Sequence, residues 1–157
     1  MPPDDQLTDE LISRYDEAWR VLARQPHPDG LHLLLNSFGK GSGFGVYQLV
    51  PDAVRTYAEE AVVVEIAAAL RSPHGGVRSW ASEIAPEYRD SRLTPAVLDN
   101  LEGDDDDVRV FAAQFLAEVG QLDAEQLSRI QDVLALEMDD EIRQDLRRAL
   151  RQQPTIK

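Results

Sequence analysis

The residues that first invite a chemical reading are Gly39-Lys40-Gly41-Ser42-Gly43-Phe44-Gly45, because backbone amides bunched ahead of a helix can cradle a phosphate or another anion. The spacing rejects the familiar versions of that chemistry. A phosphate loop needs glycine five residues before the Gly-Lys and Ser or Thr after it, where this chain has Leu34 and Gly41. A dinucleotide loop running through Gly41 and Gly43 needs glycine at Val46. A nucleophile elbow on Ser42 needs glycine at Lys40 and Phe44. Two readings stay open: a long flexible turn between helices, or a partner-contacting loop whose contacts are Lys40 and Phe44.

Metal and acid chemistry are no better supported. His27, His32 and His74 have no ligand spacing between them; they read as exposed or capping residues, with His32 beside an apolar run and so expected to pack. The run Asp104-Asp105-Asp106-Asp107 lacks the alternation, central glycine and terminal Glu of a calcium loop. With no cysteine in the chain, thiolate ligands, thiol nucleophiles and disulfides are excluded. The sequence therefore predicts no catalytic residue, no cofactor and no metal. Trp19 and Trp80 are expected in the core, an interface anchor being the alternative.

What remains is charge. The 157 residues carry 29 acidic and 16 basic side chains, a net charge of −13, with a pI near 4.5. Between Glu102 and Glu141 there are 13 acids against two bases, Arg109 and Arg129. A surface of this sign repels nucleic acid, and its expected partner is an electropositive protein. The 43% of apolar residues suffices for a core. No stretch approaches the roughly 18 apolar residues of a membrane span, the longest apolar region, Ala61 to Leu70, being interrupted by Glu65. The start of the chain lacks the basic residues and apolar run of a secretory signal, so a cytoplasmic location with no membrane partner is expected.

These residues must be positioned by helices, because apolar residues recur at helical spacing almost throughout. The pattern itself repeats. Val77-Arg78, Val108-Arg109 and Ile142-Arg143 stand 31 and 34 residues apart, and Val46 lies 31 before Val77 with Tyr47 in place of the arginine. Each anchor heads an apolar face: Leu49, Val50, Ala53 and Val54; Trp80, Ala81 and Ile84; Phe111, Ala112, Phe115 and Leu116; Leu146, Ala149 and Leu150. Fifteen residues upstream of the anchors stand Leu31, Val62, Leu93 and Leu127. The expected helix pairs are Leu31–Phe38 with Phe44–Tyr57, Glu59–Leu70 with Gly76–Ala85, Thr94–Leu101 with Asp107–Val119, and Asp123–Glu137 with Glu141–Arg151. Thr94 ahead of Pro95, Asp107, and Asp123 with Gln126 read as helix caps. Leu7, Leu11, Tyr15, Trp19 and Leu22 line one face of a further helix that covers the open end of a stack. At the other end, Asp145 takes the place that Trp80 and Phe111 hold in earlier copies, as suits a terminal repeat.

Helix pairs of this length, carrying SPHGGVRSWASEIA and DDDDVRVFAAQFLAEVG, resemble HEAT-like repeats, armadillo-like helix pairs of the short bacterial type first named for phycobilisome lyases. The resemblance covers residues 59–151 well and 28–57 less well, where Gly39-Lys40-Gly41-Ser42-Gly43 replaces the usual acidic turn and Pro51 interrupts the second helix. It implies an all-α fold, a right-handed α-solenoid of antiparallel helix pairs, with the second helices on a concave face that holds another macromolecule. It also implies that Arg78, Arg109 and Arg143 bond to an aspartate of their own turn or of the neighbouring unit. The organisation expected is a single domain over 1–157: a capping helix over 7–24, an irregular repeat over 28–57, repeats over 59–90 and 93–120, a last repeat over 123–151 that closes the stack, and a tail over 152–157.

Related repeats occur in bilin lyases and in alkylpurine DNA glycosylases, but the latter need a basic concave face and this chain is acidic. The expectation is a non-enzymatic protein-interaction module, of inhibitor or immunity type in one version. The alternatives are a self-associating scaffold subunit and a lyase-type accessory factor. The partner would meet the acidic edge, Asp104 to Asp107 with Asp139, Asp140 and Glu141. On the concave face and loop it would meet Lys40, Phe44, Gln48, Ser79, Glu83, Val110, Gln114 and Gln144.

Overall fold

A computed structural model describes residues 1–152; of the expected tail, residues 153–157 lie outside the described residues. Every regular element among the described residues is helical. None of these helices is long and apolar enough to cross a membrane. The chain divides into two compact units, one over Met1–Ala81 and one from Ser82 onward.

In the first unit α1 (Asp9–Arg24) starts at Thr8, whose side chain accepts from the Leu11 amide at 3.3 Å. Its apolar side, Leu11, Tyr15, Trp19 and Leu22, is half-buried, and the helix lies against α2 (Pro28–Leu35) and α3 (Val50–Val54). His27 caps α2 through Nδ1, and Pro28 follows at a position where its missing N–H costs nothing. α2 also packs on α4 (Glu59–Ala69), where Val62, Val63 and Ile66 are buried.

The long helix expected over Phe44–Tyr57 is broken. It consists of two single 3-10 turns, Gly43–Gly45 and Tyr47–Leu49, and then the short α3. Pro51 has no N–H to offer the Tyr47 carbonyl, and Phe44 sits at φ 51, so no continuous α-helix can run through the segment. α5 (Gly75–Ile84) buries Val77, Trp80, Ala81 and Ile84 and passes from the first unit into the second.

The second unit is more regular. It contains α6 (Thr94–Leu101), α7 (Asp106–Glu118), α8 (Ala124–Leu136) and α9 (Asp140–Arg151). α6 packs on α7 and α8, and α9 packs on α7 and α8. The anchors Val108 and Ile142 and the residues Ala112, Phe115, Leu116, Leu146 and Ala149 form the core between them. Asp123 and Gln126 make a full capping box, with reciprocal bonds of 2.8 and 3.0 Å. Gly120, at φ 92, ends α7 in the left-handed turn that only glycine adopts freely.

Two expected caps sit elsewhere. Thr94 is already helical, and a 3-10 turn over Ser91–Leu93, capped by Asp90 accepting from the Arg92 amide at 2.8 Å, precedes it. The start of α7 is capped by Asp105 rather than Asp107, through the Val108 amide. Consecutive aspartates left that choice open, and the extended backbone at Asp105 decides it.

Candidate functional site

The acidic edge belongs to the second unit and is assembled by two arginines. Arg109, on the first turn of α7, donates to the Leu101 carbonyl at 3.2 Å and pairs with Asp106 at 3.3 Å. Its remaining nitrogen bonds the carboxylate of Glu137, in the turn between α8 and α9. The Glu137 side chain is only 4% exposed. Its other oxygen accepts from the amides of Met138 and Asp139 at 2.8 and 2.9 Å. One buried ion pair therefore fastens the turn carrying Asp104–Asp107 to the turn carrying Asp139–Glu141. Arg129 of α8 makes the corresponding tie to α6, through Glu102 at 2.7 Å and Asp99 at 2.9 Å, and these carboxylates hold its guanidinium further above its ordinary pKa.

Both basic residues of the Glu102–Glu141 segment are thus committed to internal ties. All seven acids of the expected edge, Asp104, Asp105, Asp106, Asp107, Asp139, Asp140 and Glu141, are exposed. Asp105 and Asp139 are also used as caps, and Asp140 reaches Arg143 at 3.6 Å. Among the described residues Asp104 and Asp107 have no ion-pair partner.

Next to the edge a groove of about 390 Å³ is lined by Pro86, Gln114, Glu118, Glu141, Gln144, Asp145 and Arg148. It brings together Gln114, Gln144 and Glu141 from the sequence reading, and Val110 is half-buried one turn before Gln114 on α7. Asp145, the polar substitution in the last helix, is buried and paired to Arg148 at 2.8 Å. Glu118 is held by Arg89 at 2.9 Å. Glu83 is pushed above the ordinary carboxylate range by desolvation, with the charge of Glu87 adding to it.

The remaining expected contacts belong to the first unit. Lys40, Phe44 and Gln48 are exposed and Ser79 is half-buried. Arg78 bonds the Ser72 carbonyl of its own turn at 2.7 Å. His32 is exposed rather than packed, and pairs with Glu65 on α4 at 2.9 Å. Trp80 is a core residue: it stacks on Phe38 at 5.3 Å, meets Tyr47 edge-on and donates to the Gly41 carbonyl at 3.1 Å.

The glycine loop is held, not free. The Asp4 carboxylate lies in the nest of amides that the sequence suggested for an anion, accepting from the Ser42 amide at 2.9 Å, the Gly43 amide at 2.8 Å and the Ser42 hydroxyl at 3.2 Å. A Cβ at Gly41, which sits at φ +111, would stand 2.5 Å from that carboxylate. The anion cradle exists, and the chain fills it with its own residue. These bonds, the Ser42 amide first, hold the Asp4 carboxyl below the ordinary aspartate range. Since the folded pKa is depressed, the contact is complete above the unfolded value and is lost as pH falls through the folded one. The Ser42 and Gly43 amide resonances should titrate with a midpoint below that of an exposed aspartate such as one in an unfolded peptide, and Asp4→Asn should abolish that titration; a midpoint at or above the peptide's contradicts the nest.

Sequence reasoning missed Asp4 and Glu137. Asp4 acts across 38 residues and has no local signature. Glu137 was missed because the expected partner of Arg109 was an aspartate, which it does find in Asp106 of its own turn. No family model matches the chain, and no curated protein matches it.

Proposed function

We propose that this chain is a non-enzymatic protein-binding module of stacked HEAT-like helix pairs, a right-handed α-solenoid that grips an electropositive protein. Its contacts are the acidic inter-helix edge and the faces of the second helices. The observation that carries the reading is the commitment of Arg109 and Arg129 to internal ties, which leaves Asp104–Asp107 and Asp139–Glu141 as a block of negative charge on a fixed frame. Clustered like charge costs stability through self-repulsion, and a rigid block of one sign steers an oppositely charged partner into register. The contacts of α6 with α8 and of α7 with α9 support a reading in which consecutive helix pairs stack. The groove beside the edge adds Gln114 and Gln144 as neutral hydrogen-bonding contacts, and an inhibitor or immunity role suits the same surface.

The test is capture from a lysate of the source cells at low salt, with a salt gradient for elution. The control replaces Asp104–Asp107 with Asn, a substitution that preserves helix capping. One basic protein should be retained by the wild type, eluted by salt, and retained about tenfold less by the variant. Equal retention by both, or no specific retention, overturns the proposal.

A further inference from the structure

The acidic edge has an apolar centre. Leu136 and Met138, on either side of Glu137, are 84% and 85% exposed, the most exposed large apolar side chains among the described residues. Their exposure follows from how the turn is built. Leu136 is the last residue of α8, and Glu137 leaves the helix on extended backbone, φ −67 and ψ 130. The ion pair with Arg109 and the bonds from the Met138 and Asp139 amides pin Glu137 inward. Leu136 and Met138, its two chain neighbours, remain in solvent beside it. Single exposed apolar residues are ordinary on protein surfaces, but here two large ones are fixed together by a buried ion pair.

What surrounds them selects the occupant. Asp139, Asp140 and Glu141 follow directly, Asp132 precedes by about one helical turn, and all four are exposed; the Arg109 tie brings in the turn of Asp104–Asp107. Arg109 is already paired with Glu137 and Asp106. A second copy of this chain would set the same carboxylates against themselves. We infer that Leu136 and Met138 are the anchoring contacts for a basic amphipathic segment of a partner protein, its apolar side chains seated on this pair and its Lys or Arg side chains on the flanking carboxylates. The unbranched, polarizable Met side chain can adapt to the shape of the segment. This rests on the protein-binding reading above and adds to it where the contact is centred and what the partner segment must present.

The test needs no knowledge of the natural partner. Two synthetic peptides of equal length and charge serve as probes, one alternating Lys and Leu, the other Lys and Ser. The protein is labelled with ¹³C at the methionine methyls, of which the chain has two, Met1 and Met138. The Lys/Leu peptide should shift the Met138 methyl and bind about tenfold more tightly than the Lys/Ser peptide. Leu136→Ser with Met138→Ser should remove that difference while leaving Lys/Ser binding and the melting temperature unchanged.

Equal binding of the two peptides, no loss in the double variant, or a Met138 signal unmoved by the Lys/Leu peptide overturns the inference while the acidic-edge reading stands. Failure of both peptides to bind overturns the two together. Concentration-dependent dimerisation abolished by the double variant would make a second copy the occupant and overturn it as well.

Discussion

Tyr47→Ala should destabilise the first unit by about 4 kcal/mol, with loss of order in the glycine loop. Tyr47 is fully buried. Its ring is met edge-on by Tyr15, Phe38 and Trp80 at 5.4, 5.5 and 5.7 Å. Its hydroxyl accepts from the Gly39 amide at 3.0 Å. Truncation removes the centre of this cluster and leaves a cavity that four aromatic and glycine-loop neighbours cannot easily close. Tyr47→Phe separates the two contributions, because it keeps the ring and leaves only the Gly39 amide without its acceptor, for about 1–2 kcal/mol. Trp19 and Trp80 both lie in this unit, so urea unfolding followed by tryptophan fluorescence reads it directly. A loss under 1 kcal/mol for the alanine variant would show that the cluster is not the core of the unit.

The second large effect is expected at Glu137. Glu137→Ala leaves Arg109, whose side chain is 20% exposed, with only the exposed Asp106 as ion-pair partner. It also takes away the acceptor of the Met138 and Asp139 amides. Breaking a buried pair from one side typically costs 3–5 kcal/mol; partial exposure of Arg109 puts this case near the lower end, about 3 kcal/mol. Glu137→Gln keeps an oxygen for the amides and loses the charge, so it should fall between alanine and wild type. The double replacement Arg109→Met with Glu137→Leu should recover most of the loss, since apolar isosteres often match a buried pair. This unit has no tryptophan, so thermal unfolding by circular dichroism is the readout. Equal losses for the single and double variants would mean that the pair is not what joins the two turns.

The second unit was legible because its signals are local. The apolar spacing after Val108 and Ile142 gave α7 and α9 to within a residue or so at either end, Thr94–Leu101 was expected with the bounds α6 has, and Asp123 with Gln126 announced the capping box three residues apart. Arg109 was expected to find an aspartate in its own turn or the neighbouring unit, and it pairs with Asp106, but its buried partner Glu137 was not foreseen. The first unit was less so. Pro51 and the glycines signalled a break, but the residue that orders the loop, Asp4, stands 38 and 39 positions from the amides it binds, and no local pattern encodes such a contact. Leu136 and Met138 were not singled out for a related reason: nothing in the local pattern marks Glu137, between them, as the residue that is buried and paired.

Hydrogen–deuterium exchange on the protein alone, and on the protein saturated with the partner it captures, would show directly whether the acidic turns form the binding surface. New protection is expected in 103–110 and 136–145, the two acidic turns and the helix starts they carry, with the Asn variant of Asp104–Asp107 losing that protection. Protection confined to residues 1–81, with both acidic turns exchanging as they do in the free protein, would contradict the acidic-edge reading.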